Sequence, residues 1–201
     1  MIRKYFHEAF DANDMDHAMD IVLSMKDQQR FMDETSWLID AISNRIKIAS
    51  TDTVLDFGCG MGRLSQPLIE QFGCRVIGVD SSASMRALAE QYVNNILFTT
   101  VDQYLAAGSV QVVMACLVLQ HVADPAIEIQ RLAYNLHDEG WLVIVNEPQR
   151  LIPVGVDSSN HVIWHDDGID IFRMLSQFFT LVKSTPYYSS QARLNFYRKA
   201  I

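Results

Sequence analysis

The stretch VLDFGCGMGRL, residues 54–64, runs from apolar side chains into three glycines at alternate positions. The apolar residues predict a buried strand, and residues 61–72 that follow have the pattern of a helix. Glycine at a strand-to-helix turn permits a positive φ and the close approach of a ligand. Because Asp56 stands just before the glycines, the stretch predicts a ligand-binding loop with a carboxylate beside it.

Downstream of this loop, short β-branched runs alternate with helical stretches. We predict strands at 53–57, 75–79, 96–100, 110–117 and 141–146, and helices at 61–72, 82–93 and 124–136. Such alternation is typical of a parallel sheet with helices on both faces. After a predicted loop from Pro148 to about His165, a helix over 167–177 leads to two close runs that fit an antiparallel hairpin at one side of the sheet.

Residues 1–48 contain no convincing strand, and their apolar residues recur at helical spacing. The 201-residue chain, 49% hydrophobic, is long enough to bury one sizeable core. We therefore expect a single domain over residues 1–201, with a helical cover at 1–48 and a core at 49–201.

The composition limits which classes of partner we expect this protein to bind. A net charge of −8 argues against broad binding to nucleic-acid phosphates. The three cysteines, Cys59, Cys74 and Cys116, are too widely spaced for a zinc site or a disulfide framework, so we predict no metal. The longest apolar run, residues 112–119, is too short to span a bilayer, and the amino terminus lacks the features of a secretory signal. We expect a cytoplasmic protein, monomeric or homodimeric, without membrane contact.

Three ligand chemistries use a glycine loop of this kind. Dinucleotide loops read GxGxxG, whereas Arg63 leaves the pattern GxGxG here. A P-loop needs GxxxxGKS or GxxxxGKT, and no Lys-Ser or Lys-Thr follows the glycines. Asp56 would also repel a pyrophosphate, whereas S-adenosylmethionine (SAM), with its ammonium and sulfonium groups, tolerates a carboxylate. The loop therefore favours SAM.

The stretch VLDFGCGMGRL resembles motif I of class I SAM-dependent methyltransferases, and RVIGVDSSASMRALA, residues 75–89, resembles the segment that follows it. The resemblance covers residues 50–147 well and the tail in outline. It implies an α/β, Rossmann-like, doubly wound sheet of seven strands, mostly parallel with a reversed last strand. LVLQHVADP, residues 117–125, resembles the small-molecule branch, and the signatures of base-methylating enzymes, Asn/Asp-Pro-Pro-Tyr and Pro-Cys, do not occur.

The resemblance implies that SAM is the cofactor and S-adenosylhomocysteine its product. Gly58 and Gly60 would line the methionine and ribose portion, near the carboxylate of Asp56. Asp80, at the end of the second strand, would hold both ribose hydroxyls, with Ser81 beside the adenine. The alternative for Asp80 is that it caps the helix entered at Ser82.

Further cofactor contacts are implied at the third and fourth strands. Asp102 would accept a hydrogen bond from the adenine amino group, with Gln103 adjacent, unless it is an ordinary loop acid. Cys116 and Leu117 would offer backbone carbonyls to the cofactor ammonium, the Cys116 side chain itself being a buried filler. Arg63 either meets the methionine carboxylate or is a surface arginine.

The parts outside this common core predict the acceptor site. His121 follows the fourth strand, near the expected methyl group, and its pKa range suits a base; alternatively it only shapes the loop. Trp164 and His165 in the long loop, Tyr5 in the cover and Glu147 after the fifth strand are the pocket candidates. Phe6 and Phe10 we expect to pack the cover onto the sheet.

These residues predict methyl transfer from SAM to a small-molecule acceptor. Methyl transfer needs alignment and desolvation, and a base only if the acceptor loses a proton, so no catalytic triad is required. A catalytically inactive SAM-binding module, acting as a partner subunit or sensor, fits the same loop. A nicotinamide-dependent dehydrogenase would need the GxGxxG loop that is missing.

Overall fold

A seven-stranded sheet forms the centre of the molecule in a computed structural model, which describes residues 5–23, 27–93, 97–100, 103, 109–188 and 191–200. The strands of this sheet are β1 Thr53–Phe57, β2 Arg75–Val79, β3 Leu97–Thr99, β4 Val110–Cys116, β5 Leu136–Asn146, β8 Phe179–Pro186 and β9 Arg193–Lys199. A separate antiparallel pair consists of β6 Ile152–Val156 and β7 Val162–His165.

The helices precede the sheet and flank it. They are a 3-10 turn His7–Phe10, then α1 Met15–Leu23, α2 Gln28–Ser43, α3 Ser65–Phe72, α4 Ala83–Tyr92, α5 Pro125–Asn135 and α6 Ile171–Leu175. Among the described residues, no helix is both long and apolar enough to cross a bilayer.

The strand order is β3-β2-β1-β4-β5-β9-β8. The first five strands pair in parallel, and β9 runs antiparallel to both of its neighbours, β5 and β8. This confirms the predicted doubly wound sheet with a reversed last strand. The order changes direction between β1 and β4, and ligands of open α/β sheets bind at the carboxyl ends of the strands beside such a point.

Alternate residues of the strands build two cores because successive side chains of a strand point to opposite faces. Leu55 of β1, with its register partners Ile77 and Val113, packs on the face that carries α5 and α6. Val54, with Val76 and Val112, packs on the face that carries α2 and α3. Both faces are buried, which is what the near-continuous apolar strands require.

The predicted helical cover contains α1 and α2. Ala18 of α1 and Phe31 of α2 are buried with Met61 of the glycine loop and Met85 of α4 in a third apolar cluster. The cover therefore packs directly on the loop that the sequence marks as a ligand site.

Two predicted boundaries were wrong. The segment from Pro148 to His165 is not a loop throughout, because it contains the β6–β7 hairpin; Pro153 and Gly155, which indicate a loop, lie in its strand β6, where an isolated two-stranded pair tolerates them. The first helix of the core starts at Ser65 instead of 61, because Gly62 has a φ of 85°, outside the helical region.

Two further predicted elements have different bounds. The strand predicted at 141–146 begins at Leu136, and the helix predicted at 167–177 is confined to α6.

Candidate functional site

The glycine loop turns sharply at the end of β1. Gly58, Gly60 and Gly62 all have a positive φ, of 72°, 53° and 85°. A Cβ on Gly58 would lie 2.3 Å from the Val118 side chain, and one on Gly62 would lie 2.3 Å from that of Val93. These two glycines are therefore required by both conformation and close packing. The sequence pattern indicated the positive φ, but it assigned the missing Cβ to a ligand and not to Val118 and Val93.

Gly60 has a different environment. The nearest atom to a Cβ there is Cγ2 of Val22 in α1, at 3.4 Å. Gly60 is itself buried, and the side where a Cβ would stand faces α1 of the cover, so a ligand against its backbone would lie between the loop and α1.

Asp80 joins the second strand end to this loop. Its Oδ2 accepts the Gly60 N–H at 2.8 Å, and its Oδ1 accepts the Ser82 N–H at 2.9 Å. Each carboxylate oxygen retains a lone pair for one more donor. Ser82 itself caps α4 by accepting the Met85 N–H, so helix capping does not account for Asp80.

The acids near the ends of β1 and β2, Asp56 and Asp80, both have a raised pKa. Burial raises the pKa of Asp56 to about 6, although the Ser65 hydroxyl donates to its Oδ2 at 2.6 Å. Burial also raises the pKa of Asp80, against the two backbone N–H groups that it accepts. Buried carboxylates favour a ligand that is cationic or carries hydroxyl groups, because such a ligand replaces the solvation that the charged form loses on burial.

Arg63 is only 4% exposed, so its interpretation as a surface arginine was wrong. Its guanidinium lies 3.7 Å from the Glu34 carboxylate of α2 and 3.4 Å from the Tyr187 hydroxyl. Tyr187 in turn donates to Glu34 at 2.6 Å. The cover, the glycine loop and the turn after β8 therefore meet at one buried cation.

The end of β4 lies beside these groups. Leu117 has a φ of 58°, a conformation that non-glycine residues rarely adopt, and its N–H donates to Val145 of β5 at 2.7 Å. Burial raises the pKa of the Cys116 thiol to about 12, so the thiol stays protonated. The Cys116 side chain is therefore uncharged, and the positive φ of Leu117 marks the end of the strand.

The structure describes only some of the residues predicted to surround the adenine. Ser81 is exposed next to Asp80, and Gln103 is exposed with its Oε1 at 3.2 Å from the Thr99 hydroxyl. Asp102 lies outside the described residues.

Aromatic rings gather on the other side of the strand ends. The His121 ring lies 5.3 Å from that of Trp164 in β7 and 5.7 Å from that of Phe10, and Phe10 lies 6.1 Å from Trp164. The Tyr5 hydroxyl donates to the His121 carbonyl at 2.7 Å. The structure thus brings together His121, Tyr5 and Trp164, and adds Phe10, which we expected only to pack the cover.

A second element of this cluster escaped the sequence analysis. Gln120 is buried, and its side chain lies between the Glu147 N–H, at 2.7 Å, and the His121 ring, at 3.1 Å. Its place directly before His121 in LVLQHV was the one available signal. His165, by contrast, pairs with Ile152 in the hairpin register. Among the described residues, the rings of His165 and His121 make no contact.

Arg150, also missed, holds the loop that carries His121. Its Nη1 and Nη2 donate to the carbonyls of Leu119 at 3.1 Å and Val122 at 2.5 Å, and its Nε donates to Asp167 at 2.9 Å. An arginine that is 2% exposed with these partners is a structural clamp. No spacing in the sequence connects it to residues thirty positions away.

Two grooves on the protein are lined by none of these residues. A groove of about 330 Å³ lies between α5 and α6, and one of about 300 Å³ lies beside β8 and β9. Within the described ranges, no group of three or more His, Cys, Asp or Glu side chains is placed to hold a metal ion.

Comparison with known proteins gives the same assignment as the fold. A family model described as a methyltransferase domain matches residues 26–178. Trans-aconitate 2-methyltransferase of Azoarcus sp. (strain BH72) is 32% identical over 123 residues, covering 59% of this chain and 49% of that protein. N-demethylindolmycin N-methyltransferase of Streptomyces griseus is 29% identical over 120 residues, covering 53% and 51%. The chain thus spans about half the length of these curated relatives.

A solved structure extends the likeness in fold. Magnesium protoporphyrin IX methyltransferase from Synechocystis PCC 6803, crystallised with bound SAM, has a TM-score of 0.57 and 21% sequence identity, covering 96% of this chain and 89% of that one. The family model, which spans well over half of the chain, carries the assignment. The chain belongs to the class I SAM-dependent methyltransferase family, whose cofactor is SAM.

Proposed function

We propose that this protein transfers a methyl group from SAM to a small-molecule acceptor. The observation that carries the proposal is that one segment of the cover, residues 5–12, contacts both halves of the site. The Ser82 hydroxyl donates to Asp11 at 2.6 Å, next to Asp80. Tyr5 and Phe6 donate to the carbonyls of His121 and Pro153. A methyl-donor side and a methyl-acceptor side beneath one cover suit the transfer of a group between two ligands.

The residues at the strand ends fit SAM. The free lone pairs on the two Asp80 oxygens suit a pair of ribose hydroxyls, and Asp56 supplies negative charge for the ammonium. The backbone at Gly60 has no Cβ to keep a ligand away. In this proposal Arg63 meets the methionine carboxylate in exchange for its long contact with Glu34, while the carbonyls of Cys116 and Leu117 face the ammonium.

The remaining predicted contacts are proposed on the family resemblance alone. They are Gly58 beside the methionine portion, and Ser81, Asp102 and Gln103 around the adenine.

When bound, SAM supplies a methyl group on a positively charged sulfur, which leaves as a neutral thioether once the acceptor's lone pair bonds to the methyl carbon. The chain's own task is to align the acceptor and exclude water. Phe10 and Trp164 would flank the acceptor, and the cover would close over it. If the acceptor loses a proton, His121 is the group placed to take it.

The acceptor is proposed as a small molecule with a planar or apolar part. The exposed ring of Trp164, 43% accessible, and the Phe10 ring offer flat contact surfaces beside His121. Tyr5 and Glu147 complete this pocket in the proposal, with His165 on the hairpin behind Trp164. The relatives' names indicate methylation of trans-aconitate in one protein and of a nitrogen in the other, so they support a small acceptor without specifying its reacting atom.

Two measurements test the proposal. Thermal shifts with SAM, S-adenosylhomocysteine, NAD and ATP should show stabilisation by the first two alone, because a ligand that binds the native state raises its apparent stability. Acceptor-dependent formation of S-adenosylhomocysteine, screened over small carboxylic acids, phenols and amines, should then identify the substrate. Stabilisation by SAM with no turnover on any class would favour the inactive binding module instead.

A further inference from the structure

A chain of three hydrogen bonds runs from Glu147, directly after β5, through the Gln120 side chain and the His121 ring to Leu151. The Glu147 N–H lies 2.7 Å from Gln120 Oε1, and Gln120 Nε2 lies 3.1 Å from His121 Nε2. His121 Nδ1 lies 2.7 Å from the Leu151 carbonyl oxygen. Gln120 is 5% exposed, so water does not readily replace either of its partners.

The two ends of this chain decide the position of every proton in it. A backbone N–H only donates, so the oxygen of the Gln120 amide faces Glu147 and its NH₂ group faces His121. A carbonyl only accepts, so His121 Nδ1 must carry the ring proton. His121 Nε2 is then a bare lone pair that accepts from Gln120. A doubly protonated imidazole would place an N–H against the amide NH₂.

The charged groups around the ring act in the same direction. Arg150 lies against the loop of His121, with its carbonyl contacts at Leu119 and Val122 and its charge partly balanced by Asp167. Burial and the Arg150 charge lower the pKa of His121, against the Leu151 carbonyl, which favours the charged ring. Tyr5 contacts the His121 backbone from the cover, and Glu147 is joined to Gln120 through its backbone N–H.

We propose that Gln120 is a positioning residue, which fixes His121 as the neutral Nδ1–H tautomer and keeps the Nε2 lone pair for the O–H or N–H of a methyl acceptor. The second half rests on the proposed function. On binding, the acceptor's donor replaces the Gln120 NH₂ at Nε2, while Gln120 stays bonded to Glu147. As the acceptor's lone pair bonds to the methyl carbon, its proton passes to Nε2 and later to solvent.

The tautomer is measured directly by NMR on protein labelled with ¹⁵N-histidine. Two-bond ¹⁵N–¹H correlations distinguish the two neutral tautomers and the cation, and the His121 signals are identified by their loss in His121→Ala. We expect the Nδ1–H pattern in the unaltered protein near neutral pH. An Nε2–H pattern would overturn the proposal, and this measurement needs no variant of Gln120 to fold.

Gln120→Glu tests the positioning itself. A carboxylate still accepts the Glu147 N–H, but it places a negative charge against Nε2 and favours the imidazolium. The titration midpoint of His121 should rise by about one pH unit or more, the usual effect of an opposite charge within contact distance. Gln130→Glu, an exposed position on α5, adds the same charge elsewhere and should leave the midpoint unchanged. A folded Gln120→Glu with an unshifted midpoint would contradict the proposal.

Turnover separates this inference from the proposed function. With an acceptor in hand, Gln120→Glu should lower kcat about tenfold at neutral pH and recover activity as the pH rises, with SAM affinity within about twofold. A pH-independent loss would mean that Gln120 only supports the fold. The expected NMR pattern in a protein with no methyl transfer on any acceptor would refute the proposed function and the acceptor role of Nε2, but leave the control of the tautomer intact.

Discussion

The hydroxyl of Tyr5 donates a 2.7 Å hydrogen bond to the carbonyl oxygen of His121, 116 residues further along the chain. Burial raises the pKa of this hydroxyl to about 12, so it remains a donor throughout the physiological range. The cover is thus fastened to the backbone of the residue proposed to meet the acceptor's proton.

Tyr5→Phe should loosen the cover without removing a ring. Loss of the hydrogen bond costs about 1 kcal/mol, so amide exchange in residues 5–12 should accelerate about fivefold. Mass-spectrometric hydrogen exchange measures this, with Tyr134→Phe, an exposed tyrosine on α5, as the matched control. Saturating SAM should slow exchange over residues 5–22 in the unaltered protein. Equal exchange with and without SAM would show that the cover is not a lid.

Asp80→Ala should weaken SAM binding severely. The change leaves two ribose hydroxyls without their carboxylate partner, which costs about 2 to 4 kcal/mol, or about 30-fold to 900-fold in Kd. Calorimetric titration measures the affinity, and Asp40→Ala, an exposed acid of α2, is the control. An unchanged Kd in folded Asp80→Ala would remove Asp80 from the cofactor site.

Asp56→Asn should stabilise the SAM-free protein above pH 6 and weaken its binding of SAM. The pKa of Asp56 is raised from 3.8 to about 6, so the folded state binds the proton more tightly than the unfolded state does. Stability from this site is therefore present below about pH 4 and lost as the pH rises through about 6, by about 3 kcal/mol in all. Asparagine carries no charge and keeps an acceptor for Ser65.

Thermal unfolding of both proteins across pH 4 to pH 8 checks this sign. The stability advantage of Asp56→Asn should grow between about pH 4 and pH 6 and stay constant above. Asp40→Asn, at an exposed acid of α2, is the matched control. A variant less stable than the parent at pH 8 would show that the charge of Asp56 is well compensated in the folded state.

His121→Ala should lower kcat about 100-fold or more, while SAM affinity stays nearly constant, because a positioned base contributes to the transition state alone. His121→Gln retains hydrogen bonding but takes no proton, so it should be as slow as alanine if His121 is a base. Initial rates with the identified acceptor decide between these outcomes. Full activity in both variants would leave His121 as the residue that shapes its loop.

The sheet and the glycine loop could be predicted because their causes are local. Val54, Leu55 and Phe57 are apolar because both faces of β1 are buried, and Gly58 and Gly62 have no Cβ because the turn requires a positive φ. The β6–β7 hairpin was missed because Pro153 and Gly155 are ordinary loop residues that tertiary context places in a strand.

Site residues could be predicted only where their role depends on their position in the sequence relative to a strand. Asp80 was found because it directly follows β2, and His121 because it lies on the loop that follows β4. Gln120 and Arg150 were not, since their roles depend on their partners Glu147 and Asp167, which only the fold brings near. Phe10 was assigned to packing because its ring partner Trp164 lies in the unpredicted hairpin.

The position of β9 between β5 and β8 sets an order of events during synthesis on the ribosome. When β8 leaves the ribosome, the place beside β5 is still empty, because β9, the strand that lies between β5 and β8, has not yet been made. The open edge of β5 is then a place where a nascent chain can pair wrongly or bind a chaperone. Glu34, which is made early, likewise receives its hydrogen bond only after Tyr187 has been made. We therefore expect this sheet to close late and slowly, in a step governed by contacts distant in sequence.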